Sequence, residues 1–176
     1  QTSSASACKG SCPRGSYSRE SGATSVTSCL SCAKGQFNSE TGQSSCKSCF
    51  IGFYSNKTGQ KSKDMCFNCI AGLYNNELAR SSCKDCPQGK YSIETALNDI
   101  RECQKCKAGR YSSEIGLGQK CNELCPAGRY SAESGLKSDT GCEKCKVDTY
   151  SRETGQILAH TCHDCPIGWS TGALKG

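Results

Sequence analysis

Apolar residues are sparse along this chain, and the aromatic ones recur at a nearly fixed interval. Tyr17, Phe37, Tyr54, Tyr74, Tyr91, Tyr111, Tyr130 and Tyr150 follow one another at 17 to 20 positions, each within a G-x-Y-S stretch or a near variant of it. Such brief alternation predicts a strand of only a few residues. Further along, Glu20, Glu40, Glu77, Glu94, Glu114, Glu133 and Glu153 recur, with a glycine two residues later in most units. This predicts a reversal that returns the chain for the next unit. Little helix is expected, the one candidate being TALNDIREC, Thr95 to Cys103.

The interval is that of a cysteine repeat. Cysteines come in close pairs, and the second of each pair (Cys12, Cys32, Cys49, Cys69, Cys86, Cys106, Cys125, Cys145 and Cys165) opens a unit. Three residues on stands Gly15, Gly35, Gly52, Gly72, Gly89, Gly109 or Gly128; Asp148 is the exception, and Gly168 resumes the series. The aromatic stands five residues on, except that the ninth unit shifts by one to Trp169. All four prolines directly follow an opening cysteine, where their fixed φ sets the departing chain. The expected organisation is a lead-in over 1–11, eight tandem repeats over 12–164, and a partial ninth over 165–176.

Composition explains why so regular a chain needs its cysteines. Of the 176 residues 18 are Cys, whereas Trp, Phe and Met together number six, too few to bury the area that offsets about 1–2 kcal/mol of backbone entropy per residue. A cysteine content near one in ten marks a disulfide scaffold made in an oxidising compartment, so an extracellular or cell-surface location is expected. No apolar run approaches the ~18 residues of a membrane span. The opening QTSSASAC lacks the charged and apolar regions of a signal peptide and reads as a processed or cut terminus. The net charge of +6 is spread along the chain, so no nucleic-acid partner is expected.

Because each unit should bond as its neighbours do, three uses of the thiols remain. Each opening cysteine can join the first cysteine of the next pair, closing loops of 13 to 16 residues worth about 3 kcal/mol apiece. The aromatic would then lie over a disulfide of its own or the adjacent unit, and the recurring glycine would let backbone pass close by. Two close pairs can instead hold zinc, although 18 thiols do not divide into four-ligand sites and Cys8/Cys12 and Cys121/Cys125 carry a wider spacing. Or each pair can close on itself as in a thiol oxidoreductase, but nothing here predicts the required βαβ core.

The stretches CPQGKYSIETALNDIRECQKC (Cys86 to Cys106) and CPAGRYSAESGLKSDTGCEKC (Cys125 to Cys145) resemble the ephrin-receptor-like cysteine-rich repeat. They are also similar to the single-disulfide submodule of tumour-necrosis-factor receptors. The resemblance extends over almost the whole chain. It implies the first scheme, pairing Cys12 with Cys29, Cys32 with Cys46, Cys49 with Cys66, Cys69 with Cys83, Cys86 with Cys103, Cys106 with Cys121, Cys125 with Cys142, and Cys145 with Cys162. It further implies a small disulfide-rich fold of tandem β-hairpin-like loops, stacked in an elongated, solenoid-like ladder with minimal core. The double-bridged submodules that supply much of the receptors' ligand-contacting surface have no counterpart here. Uniform repetition therefore favours a fibre subunit or stalk over a ligand-binding receptor or adhesion ectodomain, the alternative reading.

No catalytic, cofactor-binding or metal-binding residues are expected. The glutamates stand one to a repeat rather than in the close pairs that acid/base work needs, and read as turn residues accepting hydrogen bonds. His160 and His163 read as exposed neighbours of a bridge. Asn56-Lys57-Thr58 is the single glycosylation sequon. Phe50, Phe53 and Phe67 become a lateral contact if they gather on one side. Cys8 and Cys165 lack partners in the implied scheme; joining the tail of one copy to the head of the next would put 18 residues between them. These two cysteines are expected to bond flanking repeats or to link copies head to tail, since a contact that does not close generates a fibre.

Overall fold

A computed structural model describes residues 12–20 and 26–171. It contains sixteen strands of two residues each, paired into eight antiparallel two-stranded sheets, and no α-helix among the described residues. The chain falls into two compact units. One comprises Gln1–Ile70, Tyr74–Lys84 and Thr95–Ile100; the other comprises Ala71–Leu73, Asp85–Glu94 and Arg101–Gly176.

Each hairpin is built the same way. Strand β1 (Ser16–Tyr17) carries the aromatic and pairs with β2 (Leu30–Ser31), the two residues enclosed by the next cysteine pair. The same register places β3 (Gln36–Phe37) against β4 (Lys47–Ser48) and β5 (Phe53–Tyr54) against β6 (Phe67–Asn68). In the second unit it recurs from Lys90–Tyr91 with Gln104–Lys105 to Thr149–Tyr150 with His163–Asp164. The aromatic strand was legible in the sequence; its partner was not. The residues between paired cysteines follow no apolar pattern, and they pair because disulfides on both flanks hold them there.

An isolated two-stranded hairpin is marginal in water. Here each is held to the next by a repeated set of main-chain hydrogen bonds. Within the first unit, Gly15 N–H donates to Asn38 O (2.9 Å), Cys32 N–H to Gly15 O (2.9 Å), Asn38 N–H to Gln60 O (2.9 Å) and Gly59 N–H to Cys32 O (2.8 Å). Within the second, Gly109 N–H donates to Ser131 O (2.9 Å), Cys125 N–H to Gly109 O (2.9 Å), Ser112 N–H to Leu136 O (3.1 Å) and Gly135 N–H to Cys106 O (2.8 Å). Parallel bridges such as Phe37 with Gln60 and Tyr111 with Leu136 mark the same seam. The backbone groups left over by each hairpin are thus satisfied by its neighbour, as burial requires.

In the first six repeats the glycine three residues after the opening cysteine makes a second contact, one repeat further on. It has positive φ, +79° at Gly35 and +74° at Gly89, a conformation that L side chains rarely adopt. A Cβ built on Gly35 would fall inside 3.0 Å of the Ala79 carbonyl, and one on Gly89 inside 3.0 Å of the Gly135 carbonyl. The lack of a side chain is therefore what lets a repeat pack against the next but one.

The stretch Thr95 to Cys103 is not a helix beyond the 3-10 turn Ile100–Glu102. Ala96 has φ +60° and donates its N–H to Cys69 O (2.7 Å), and Leu97 bridges to Tyr74. A helix would forfeit these bonds to the neighbouring repeat. Other 3-10 turns, Lys63–Met65, Asp139–Gly141 and Ala159–Thr161, occupy the same place just before a cysteine.

Candidate functional site

The structure joins Cys12 to Cys29, Cys32 to Cys46, Cys49 to Cys66 and Cys69 to Cys83. It likewise joins Cys86 to Cys103, Cys106 to Cys121, Cys125 to Cys142 and Cys145 to Cys162. Their Cα separations of 5.5 to 5.8 Å lie at the usual value for a disulfide. Cys165 carries a free, half-buried thiol, and Cys8 lies outside the described residues. Among the described residues, no three His, Cys, Asp or Glu side chains gather as a metal-binding group.

What core there is consists of sulfur and an aromatic ring at each step, with a leucine added at some. Tyr91 packs with Leu117 and the Cys106–Cys121 bridge of the following repeat, and Tyr111 packs in the same way on Leu136 and the Cys125–Cys142 bridge. The aromatic thus covers the disulfide of the adjacent repeat rather than its own. The leucine had drawn no attention in the sequence, because it recurs at only three positions, Leu97, Leu117 and Leu136. Burial raises the Tyr111 hydroxyl above its ordinary pKa, and the carboxylates of Glu123 and Asp139 push it the same way. Tyr130 is also raised, because its hydroxyl donates a hydrogen bond to Glu143 Oε2 (2.9 Å).

The residue directly after the aromatic is the polar position that sequence reasoning missed. Ser18, Asn38, Ser55, Asn75, Ser92, Ser112, Ser131 and Ser151 are all buried. Ser92 Oγ accepts from Glu94 N–H (3.0 Å), and Asn75 Oδ1 accepts from Glu77 N–H (3.1 Å). Two of these residues reach further: Asn38 Nδ2 donates to Ser16 O (3.0 Å) and Asn75 Nδ2 to Phe53 O (2.6 Å), each bonding the preceding repeat. The available signal was a small polar residue after every aromatic.

The recurring glutamates stand in turns and bond there twice over: main-chain N–H groups such as those of Glu77 and Glu94 donate to the buried polar residue two positions before, and the carboxylates of Glu40, Glu77 and Glu153 accept from Gln43, Arg80 and Gln156 three positions on. Their carboxylates face solvent. Glu40 pairs with Lys47 (3.2 Å), and Glu77 pairs with Arg80 and Lys84. The Lys84 ammonium, by hydrogen bond and by charge, holds the Glu77 carboxyl below the usual carboxylate range. Exposed pairs of this kind contribute little to stability.

Of the remaining candidates, Asn56 is exposed beside the turn of the third repeat. His160 and His163 are exposed; the His163 ring meets Tyr150 edge-on at 6.4 Å. The three phenylalanines do not form one patch. Phe50 and Phe53 line a hollow of about 410 Å³ with Lys63, Asp64 and Cys66, whereas Phe67 lies opposite Tyr54, the next residue along the strand and so on the other face.

These features define a class: a protein of tandem, disulfide-closed hairpin repeats, each sealed to the next by backbone hydrogen bonds. Eight intrachain bridges belong to a chain folded in an oxidising, secretory or extracellular environment. No helix among the described residues is long and apolar enough to cross a membrane. No protein-family model matches the chain, and no curated protein is similar enough to match it.

Proposed function

We propose that the chain is a non-enzymatic extracellular spacer, the stalk of a surface protein or the shaft of a fibre, of the ephrin-receptor-like repeat type. One observation carries this reading: each repeat is closed by the same disulfide and joined to the next by the same main-chain seam. A series of like links, each closed by its own disulfide, is a build suited to holding two ends apart. Separation of whatever lies at its two ends is the activity such a series supplies. The exposed Phe50 and Phe53 hollow in the third repeat is the one feature that favours the second reading, a ligand-binding ectodomain.

Small-angle scattering of the oxidised chain tests the spacer. A compact fold of this length has a radius of gyration of about 16 Å, and an extended series of repeats exceeds it well. A value near the compact one would refute the reading. The sequon at Asn56 adds a second check on the compartment: material from a secretory host should lose mass on treatment with an N-glycosidase.

A further inference from the structure

We infer that Asp148 ends the next-but-one packing at the eighth repeat, so that a tenth repeat, from this chain or from a second copy, cannot stack against it as the earlier ones do against theirs. Two independent features meet at this repeat. The first is the contact between a repeat and the next but one. At Gly15, Gly35, Gly52, Gly72, Gly89 and Gly109, an added Cβ would come inside 3.0 Å of the carbonyl of a residue two repeats on. Backbone on both sides leaves neither partner free to move aside. In the eighth repeat Asp148 takes the glycine's place, at φ +64°. A tenth repeat seated in the same manner would drive its carbonyl oxygen into the Asp148 Cβ and set that oxygen against the carboxylate.

The second feature is loop length. From the first repeat to the seventh, the cysteine separations alternate between 17 and 14 or 15 residues. Among the first seven repeats, long therefore lies against long and short against short at the next-but-one contact, whereas the short sixth repeat lies against the long eighth. The eighth repeat, due to be short, has a separation of 17 and its own 3-10 turn, Ala159–Thr161. The alternation and the glycine thus fail together.

Asp148 is also turned to a different use. Its carbonyl still accepts from Cys165 N–H (2.8 Å), which keeps the nearest-neighbour seam. Its N–H goes to the Thr171 hydroxyl (2.7 Å), where the equivalent glycines find a main-chain carbonyl, and its carboxylate accepts from Ser170 Oγ (2.6 Å). The side chain thus lies on the surface a further repeat would need. A segment of another fold can follow, but the ladder cannot be carried in register beyond the ninth repeat, and a head-to-tail fibre cannot arise by end-on continuation of the stack at this end.

The test extends the chain. Residues 1–164 are followed by a second copy of residues 86–124, which supplies a ninth, long repeat and a tenth, short one with every added cysteine paired. The same chain is made with Asp148→Gly, and peptide mapping verifies the first eight disulfides in both. Amide hydrogen exchange is then read in the tenth repeat. Protection there should be roughly tenfold or more higher with Asp148→Gly, because overpacking against backbone is relieved. Equal protection in the two chains, high or low, would overturn the inference. A second measurement needs no extension: Gly72→Asp in the natural chain places the same residue where the next-but-one repeat is seated, and should strip protection around Gly116. Protection unchanged from the natural chain would remove the steric premise.

Discussion

Replacing Gly89 by alanine isolates the contact on which repeat stacking depends. Two costs follow from the structure. The first is conformational, since an L residue held at φ +74° loses about 1–2 kcal/mol relative to its preferred regions. The second is steric, since the new Cβ lies inside 3.0 Å of the Gly135 carbonyl and at 3.0 Å from the Leu136 oxygen. Forcing an atom into packed surroundings costs about 1–3 kcal/mol. Gly128 provides the control: its φ of +76° is nearly the same, but an added Cβ there meets nothing within 4 Å among the described residues. Gly128→Ala should show the conformational cost alone. Native-state hydrogen exchange separates the two, because Gly135, in the repeat that Gly89 faces, has its N–H bonded to Cys106 O of the repeat between them. Protection at Gly135 should fall in Gly89→Ala by roughly 5- to 100-fold more than the loss that Gly128→Ala produces near its own site, at ~1.4 kcal/mol per factor of ten. Equal effects of the two substitutions would show that only backbone preference matters and that repeats do not press on the next but one.

Three further outcomes are expected. Replacing both Cys106 and Cys121 by serine opens a loop of separation 15 and should cost about 3 kcal/mol, read as proteolytic cleavage between those positions while cleavage elsewhere is unchanged. Asn75→Ala leaves the Phe53 carbonyl and the Glu77 amide without their side-chain partner and should destabilise by about 1–3 kcal/mol in denaturant; Asn75→Ser, which restores only the turn bond to Glu77, should recover part of that loss. In an alkaline titration followed by phenolate absorbance, Tyr111 and Tyr130 should ionise above the pH of an unperturbed tyrosine. For Tyr130 the folded pKa exceeds the unfolded one, so its stabilisation is complete below the unfolded pKa and is lost as pH rises through the folded value. Glu143→Gln should bring the Tyr130 value down, and an unmoved titration would refute the hydrogen bond as its cause.

How much of this was legible beforehand depended on how local each feature is. The aromatic strand, the turn near each glutamate and the boundaries of the cysteine units are set by residues a few positions apart. Periodicity exposes them. The partner strand between paired cysteines has no pattern of its own, as Leu30–Ser31 beside Lys84–Asp85 shows, because flanking covalent bonds rather than side chains put it in place. Thr95 to Cys103 misled for a related reason. Its helical composition is overruled by bonds to Cys69 and Tyr74, more than twenty residues away.

By itself the amino-acid order determined that this is a repeat, that its thiols must replace a hydrophobic interior, and that every repeat but the eighth holds a glycine three residues after its opening cysteine. It could not say what that glycine touches. Only the assembled chain shows it facing a carbonyl two repeats away, and only there does Asp148 change from an irregularity into an obstruction. The reason is physical: a period in the chain records what each repeat has in common, whereas a clash depends on where a neighbour's backbone lies, and folding alone brings that neighbour within reach.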